Sequence, residues 1–161
     1  KIVADSYDDK FLIDEIGSLK LDAKYSDVAS KAKLTDLQLN IYDCDIEVAS
    51  AIHSTFNGHY SELILGDVKE LKISESYDNN FTLGKTANVS ILKSKYSKYL
   101  IEELTSFALD GYDDVVKTKK LSADFSSLIM KGKYGDLEVE TGNVPFQINF
   151  KIKFPKIVPA E

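Results

Sequence analysis

The chain has nine tyrosines, two histidines and one cysteine, with no tryptophan and no arginine among 161 residues. Eight of the tyrosines keep a rhythm. Tyr7, Tyr25, Tyr42, Tyr60, Tyr77, Tyr96 and Tyr112 are separated by 18, 17, 18, 17, 19 and 16 residues, and Tyr134 follows after 22. Tyr99 stands outside the series. A phenol ring offers an apolar face and a polar tip, so rings at a constant interval could form a stripe that stacks on sugars or on a partner protein. Tyr25, Tyr42, Tyr60, Tyr77, Tyr96 and Tyr112 are the candidate stripe. The favoured reading is structural: half-buried rings that pile up and stabilise a repeated corner.

The other reactive side chains carry weaker signals. His53 and His59 straddle Asn57-Gly58, and a zinc site would need a further ligand such as Glu62. A solvated pair is the expected outcome. Cys44 has no histidine in its own repeat, and a nucleophile needs an oriented base, so catalysis is not expected of it. It also forms neither an internal disulfide nor a CxxC motif. The carboxylates Asp8, Asp43, Asp45, Asp78, Asp113 and Asp114 form an acidic row that could bind Ca²⁺, but the tight Gly–Asp turns of calcium-binding solenoids are missing. No catalytic residue, metal or cofactor is assigned.

The flanks of the tyrosines repeat as well. Alternating apolar pairs precede them at Leu19/Leu21, Leu37/Leu39, Leu71/Ile73, Val89/Ile91, Phe107/Leu109 and Leu128/Met130. A second set follows at Ile46/Val48, Leu63/Leu65, Phe81/Leu83, Tyr99/Ile101 and Leu137/Val139. A third row falls at Ile16, Leu34, Ile52, Val68, Ala87 and Leu104, and Gly66 and Gly84 supply turns. Period-two alternation in such short runs marks strands rather than helices. Three apolar rows per repeat of 16–19 residues describe one coil of a parallel β-helix, or β-solenoid, each coil lying about 4.8 Å above the last. The expected fold is therefore all-β, a single domain of about eight coils over residues 1–141. Propeller blades and leucine-rich repeats are longer, and the latter carry an asparagine ladder not seen in this text. The extra length before Tyr134 is placed in the polar stretch Lys117–Lys120. Residues 142–161 read as a cap and tail: Val144, Phe146, Ile148, Phe150, Ile152 and Phe154 alternate in one long strand bracketed by Pro145 and Pro155. Such a strand, with Lys151 and Lys153, would protect the open end of the stack.

Charge follows a two-coil pattern. The corners read SYD, KYS, IYD, HYS, SYD, KYS, GYD and KYG. Like charges in adjacent coils would repel across about 4.8 Å, so skipping a coil relieves them and sets each cation diagonally near aspartates. The net charge of −6, with lysine as the sole strong base, argues against nucleic-acid binding. No apolar run is long enough for a transmembrane helix. The first residues, KIVADSYDDKF, lack the apolar core of a signal peptide and already match the middle of a repeat, so a segment upstream is expected.

The units LKLDAKYSDV, HYSELILGDVKELKI, FTLGKTANVSILKSKYSKYLI and KGKYGDLEVE resemble bacterial adhesin-like β-solenoid domains of unknown function, related to the head GIN family of auto-transporter adhesins. The resemblance spans residues 2–141 and departs from the pattern at Asn57-Gly58 and near Lys117–Ser126. It implies export to the periplasm or surface of a Gram-negative bacterium and carries over no catalytic residue. The expectation is thus a non-enzymatic repeat domain that presents an elongated surface to a glycan or protein at the cell surface, or serves as a spacer. Two alternatives stay open. One is a carbohydrate-active β-helix enzyme, although the carboxylates recur evenly instead of gathering in one coil. The other is a periplasmic sensing or assembly module with a protein partner.

Overall fold

A computed structural model describes residues 1–141, 148–152 and 156–159. Among the described residues every element is a strand: β1 (Ile2–Tyr7), β2 (Lys10–Ile13), β3 (Ser18–Lys24), β4 (Asp27–Tyr42), β5 (Asp45–His59), β6 (Glu62–Tyr77), β7 (Asn80–Lys95), β8 (Lys98–Tyr112), β9 (Val115–Leu121), β10 (Ser127–Lys133), β11 (Asp136–Thr141), β12 (Ile148–Ile152) and β13 (Lys156–Pro159). All pairings are parallel, and each strand pairs with the one a full coil away. The chain is a β-solenoid of about eight turns, as the repeat implies.

Strands β4 to β8 each run 15 or 16 residues and wrap two faces and the bend between them. Parallel pairing needs a return path of a dozen or more residues, and here the rest of the coil provides it. Inward rows are apolar and closed. Leu37, Leu71, Val89, Phe107 and Leu128 form one of them, and Ile46, Leu63, Phe81, Tyr99 and Val116 form another. Ser54 occupies the slot between Leu37 and Leu71, and its hydroxyl is buried without a partner.

The third row differs from the sequence reading by one residue in two coils. Leu34, Ala51, Val68, Thr86, Leu104 and Leu121 are the stacked inward residues, while Ile52 is 44 % exposed. Gly66 and Gly84 do not end strands. They sit inside β6 and β7 where backbones approach so closely that a Cβ on Gly66 would lie 1.9 Å from the Ala49 carbonyl oxygen. The seventh coil is longer in another place than expected. Lys117–Lys120 continues as regular β9, and the extra residues form the loop 122–126, closed by Phe125 N–H to the Ser122 carbonyl at 3.1 Å.

At the end of the stack, β12 lies parallel on β10 and β13 lies parallel on β11. Two short strands on two faces therefore continue the coil, where one long strand was expected. Val144, Pro145, Phe146, Phe154 and Pro155 lie outside the described residues.

Candidate functional site: the tyrosine corner

The tyrosines meet at the corner between two faces, but not as a single column. Strand register sets Tyr7, Lys24, Tyr42, His59, Tyr77, Lys95, Tyr112 and Lys133 directly above one another. The next position stacks Asp8, Tyr25, Asp43, Tyr60, Asp78, Tyr96, Asp113 and Tyr134. Each of these eight has a left-handed backbone, with φ between 52° and 59°. Its N–H donates to the carbonyl of the first column one coil on, at 2.8–3.0 Å from Asp8 through Asp113.

The expectation of tyrosine directly over tyrosine is thus corrected: the row zigzags between two adjacent columns. Its physical reason is the ring quadrupole. Rings stacked at strand spacing would be forced towards a face-to-face sandwich, which is the disfavoured arrangement. Offsetting alternate rings by one residue gives edge-to-face contacts at 5.3–5.8 Å between centroids, with interplanar angles of 75–89°. All seven links from Tyr7 to Tyr134 are made this way. His59 joins the row, with its ring 5.8 Å from that of Tyr77.

The charges fill the complementary diagonal, as Asp8, Lys24, Asp43, His59, Asp78, Lys95, Asp113 and Lys133 in alternating columns. Corner aspartates recur only every second coil, which keeps like charges apart as the sequence suggests. The diagonal cations stand near them in register, but among the described residues no corner lysine closes an ion pair with a corner aspartate. Closed ion pairs occupy the other faces.

The left-handed conformation has a cost that differs between its occupants. Aspartate tolerates it through local hydrogen bonding, whereas a bulky side chain pays about 1–2 kcal/mol. Tyrosine takes it at four of eight coils. Two aromatic contacts, each worth roughly 0.5–1.5 kcal/mol, offset that cost. The rings remain available to solvent: Tyr25, Tyr42, Tyr60, Tyr96 and Tyr134 are 37–49 % exposed and Tyr7 is 68 % exposed. Tyr77 and Tyr112 are intermediate. Burial pushes the phenols of Tyr25, Tyr60 and Tyr96 above their ordinary value, and neighbouring tyrosines and aspartates push them further.

Directly inside the left-handed column runs a ladder that sequence reasoning missed. Asp9 N–H donates to Ser26 Oγ (3.2 Å), Ser26 N–H to Cys44 Sγ (3.5 Å), and Cys44 N–H to Ser61 Oγ (3.1 Å). The series continues with Ser61 N–H to Asn79 Oδ1 (2.8 Å), Asn79 N–H to Ser97 Oγ (3.2 Å) and Ser97 N–H to Asp114 Oδ1 (2.9 Å). Each corner amide, turned inward by the bend, finds its acceptor on the side chain one coil on. Unpaired, each would cost about 1–3 kcal/mol. This places Cys44 as a rung between serines. Its thiol donates to the Tyr42 carbonyl at 3.3 Å, and burial raises its pKa, so it stays protonated.

The ladder ends in a buried cluster. Asp114 is 1 % exposed and accepts from Ser94 Oγ (2.7 Å) and the N–H groups of Ser97 and Tyr112. Desolvation pushes its carboxyl up to about 6, against the pull of those three hydrogen bonds. Tyr99 lies fully buried beside it, stacked on Phe81 at 4.9 Å with its hydroxyl 2.8 Å from Ser94 Oγ, and burial raises its phenol strongly. Gly111 makes the room, since a Cβ there would lie 2.0 Å from Asp114 Oδ2.

The other sequence candidates are dispersed. His53 pairs with Glu70 at 3.0 Å on an outer face, away from His59. The acidic row splits three ways. Asp8, Asp43, Asp78 and Asp113 are exposed at the corner, Asp45 faces outward between Asp27 and Glu62, and Asp114 is internal. Among the described residues, no three His, Cys, Asp or Glu side chains converge as a metal-binding group. Comparison of the chain with protein-family models, with curated proteins and with solved structures finds no match.

Proposed function

We propose that this domain is a non-enzymatic, elongated scaffold whose tyrosine corner binds an extended ligand, with a linear glycan as the best-fitting class. The observation that carries this reading is the row itself: eight rings, all at least partly exposed, in unbroken contact along roughly 34 Å, seven steps of strand spacing. Four of those rings occupy backbone positions that aspartate or glycine would fill at lower cost. Rings of one backbone class recur every second coil, which suits a ligand that repeats along its length. Sugars stack through their C–H faces on aromatic rings, and the interleaved aspartates and lysines supply partners for hydroxyls. The non-enzymatic part is supported by the buried carboxylate Asp114, which is sealed in the wall by backbone amides. An extracytoplasmic setting rests on the resemblance of the repeat text to adhesin-like domains.

The test is binding of the full chain to soluble linear polysaccharides by isothermal titration calorimetry, repeated with Tyr42→Ala and Tyr77→Ala together. Both positions have ordinary backbone conformation, so circular dichroism should be unchanged while affinity falls at least tenfold. No binding to any glycan, or equal binding by the variant, would refute the reading.

A further inference from the structure

We infer that the tyrosine row is a relay for oxidising equivalents: it accepts a hole from a one-electron oxidant at one end and passes it along the corner. The argument starts from composition. Tryptophan is absent, so phenols are the only readily oxidised aromatic rings in the chain. The single methionine, Met130, is buried in the core, and the single cysteine is buried as a protonated thiol.

Geometry supplies the path. Electron exchange between aromatic rings falls steeply with the gap between them, and here every gap is closed. The seven successive centroid distances from Tyr7 to Tyr134 are 5.3, 5.8, 5.4, 5.4, 5.6, 5.7 and 5.5 Å. Donor and acceptor at each step are chemically the same phenol, and the two backbone settings simply alternate along the row, so the driving force does not accumulate from end to end. Both ends are exposed, Tyr7 at 68 % and Tyr134 at 49 %.

The proton balance also closes. The external oxidant takes one electron from a phenol and is itself reduced. The oxidised phenol becomes a strong acid and releases its O–H proton to water or to an interleaved carboxylate such as Asp43, Asp78 or Asp113. The resulting phenoxyl then takes one electron from the adjacent tyrosine and a proton from the same pool. It is restored to a phenol as the neighbour becomes the radical. No bond other than O–H is broken or made, and each transfer is reversible. This activity is independent of any glycan.

The test places the oxidant at one end. In the full chain with Cys44→Ser, a rung where Ser26 and Ser61 already make the same ladder contacts, Asp5→Cys carries a ruthenium tris-bipyridyl group beside Tyr7. Flash oxidation with a cobalt(III) acceptor generates the hole, a nitroso spin trap captures it, and peptide mapping locates the adducts. Adducts are expected along the row out to Tyr112 and Tyr134. Tyr60→Phe with Tyr77→Phe keeps ring packing but removes two oxidisable phenols. It should lower adducts at Tyr112 and Tyr134 at least tenfold while leaving Tyr7, Tyr25 and Tyr42 reactive. Adducts confined to Tyr7 in the uninterrupted row would overturn the proposal. So would an unchanged distal yield in the interrupted row, which would mean oxidation from solution.

Discussion

Two corners of the solenoid solve the same problem in different ways. The tyrosine corner turns the chain with one left-handed residue per coil, covers the turn with contacting rings, and pairs the inward amides through the side-chain ladder. The corner around Leu34, Ala51, Val68, Thr86 and Leu104 bends without any left-handed residue, inside strands that continue through it in β4 to β8. Its outer column alternates in sign through Asp67, Lys85, Glu103 and Lys120, with Glu103 3.6 Å from Lys120. The extra loop 122–126 is accommodated here. One corner fixes register through buried hydrogen bonds, and the other is held by backbone pairing and surface charge. Variation is therefore tolerated at the second.

That contrast breaks most visibly under insertion. Two residues, Gly-Ser, added between Tyr60 and Ser61 would displace the ladder from both neighbouring coils, and the cost should exceed about 4 kcal/mol, seen as loss of the cooperative urea transition. The same insertion between Ala123 and Asp124 should cost less than about 1 kcal/mol, because loop closure grows slowly with length. Equal losses at the two sites would erase the distinction.

The buried carboxylate gives the ladder a pH signature. A folded-state pKa of about 6 lies above the ordinary aspartate value of 3.8, so the folded state holds the proton more tightly. The contribution of Asp114 to stability is complete below pH 4, declines as pH rises through 6, and then stays constant. The decline is on the order of 2–3 kcal/mol. Asp114→Asn should flatten this component relative to the parent when urea midpoints are compared between pH 4 and 7. Parallel profiles would show that Asp114 is solvated. Ser97→Ala removes the acceptor for Asn79 N–H and the contact to Ser76 Oγ at 2.8 Å. A loss of about 2 kcal/mol is expected from equilibrium unfolding. At the opposite corner, Glu103→Gln should cost no more than about 0.5 kcal/mol, and even that should fade in high salt.

How far the sequence reaches is itself explained by the two corners. The coil, its strand pairs and the two-coil charge pattern follow from apolar alternation and the tyrosine rhythm, because each rests on side chains that either face the core or repel one another. Aligning on tyrosine, however, shifts every second coil by one residue. That shift hides the ladder: the positions after the left-handed residue read Asp9, Ser26, Cys44, Ser61, Asn79, Ser97 and Asp114, which mixes residue types united only by an acceptor atom. The tyrosine spacing does not betray the shift, because the straight column from Tyr7 through Lys24, Tyr42, His59 and Tyr77 also steps by 17 and 18 residues; the available signal was the alternation of SYD with KYS at the corner. Ala51 and Thr86 escaped notice for a related reason. A corner with a single inward residue has no period-two partner to reveal its phase, so the larger Ile52 was the natural but incorrect choice.

Spectrophotometric titration of the phenols, followed at 295 nm with far-ultraviolet circular dichroism to mark the folded range, addresses the contact between rings most directly. Neighbouring rings oppose the ionisation of Tyr25, Tyr60 and Tyr96, so their share of the curve should be displaced above pH 10, with Tyr99 silent until unfolding. Ionisation of Tyr25, Tyr60 and Tyr96 at the ordinary phenol value, with the fold intact, would mean that these rings stand apart from their neighbours in solution.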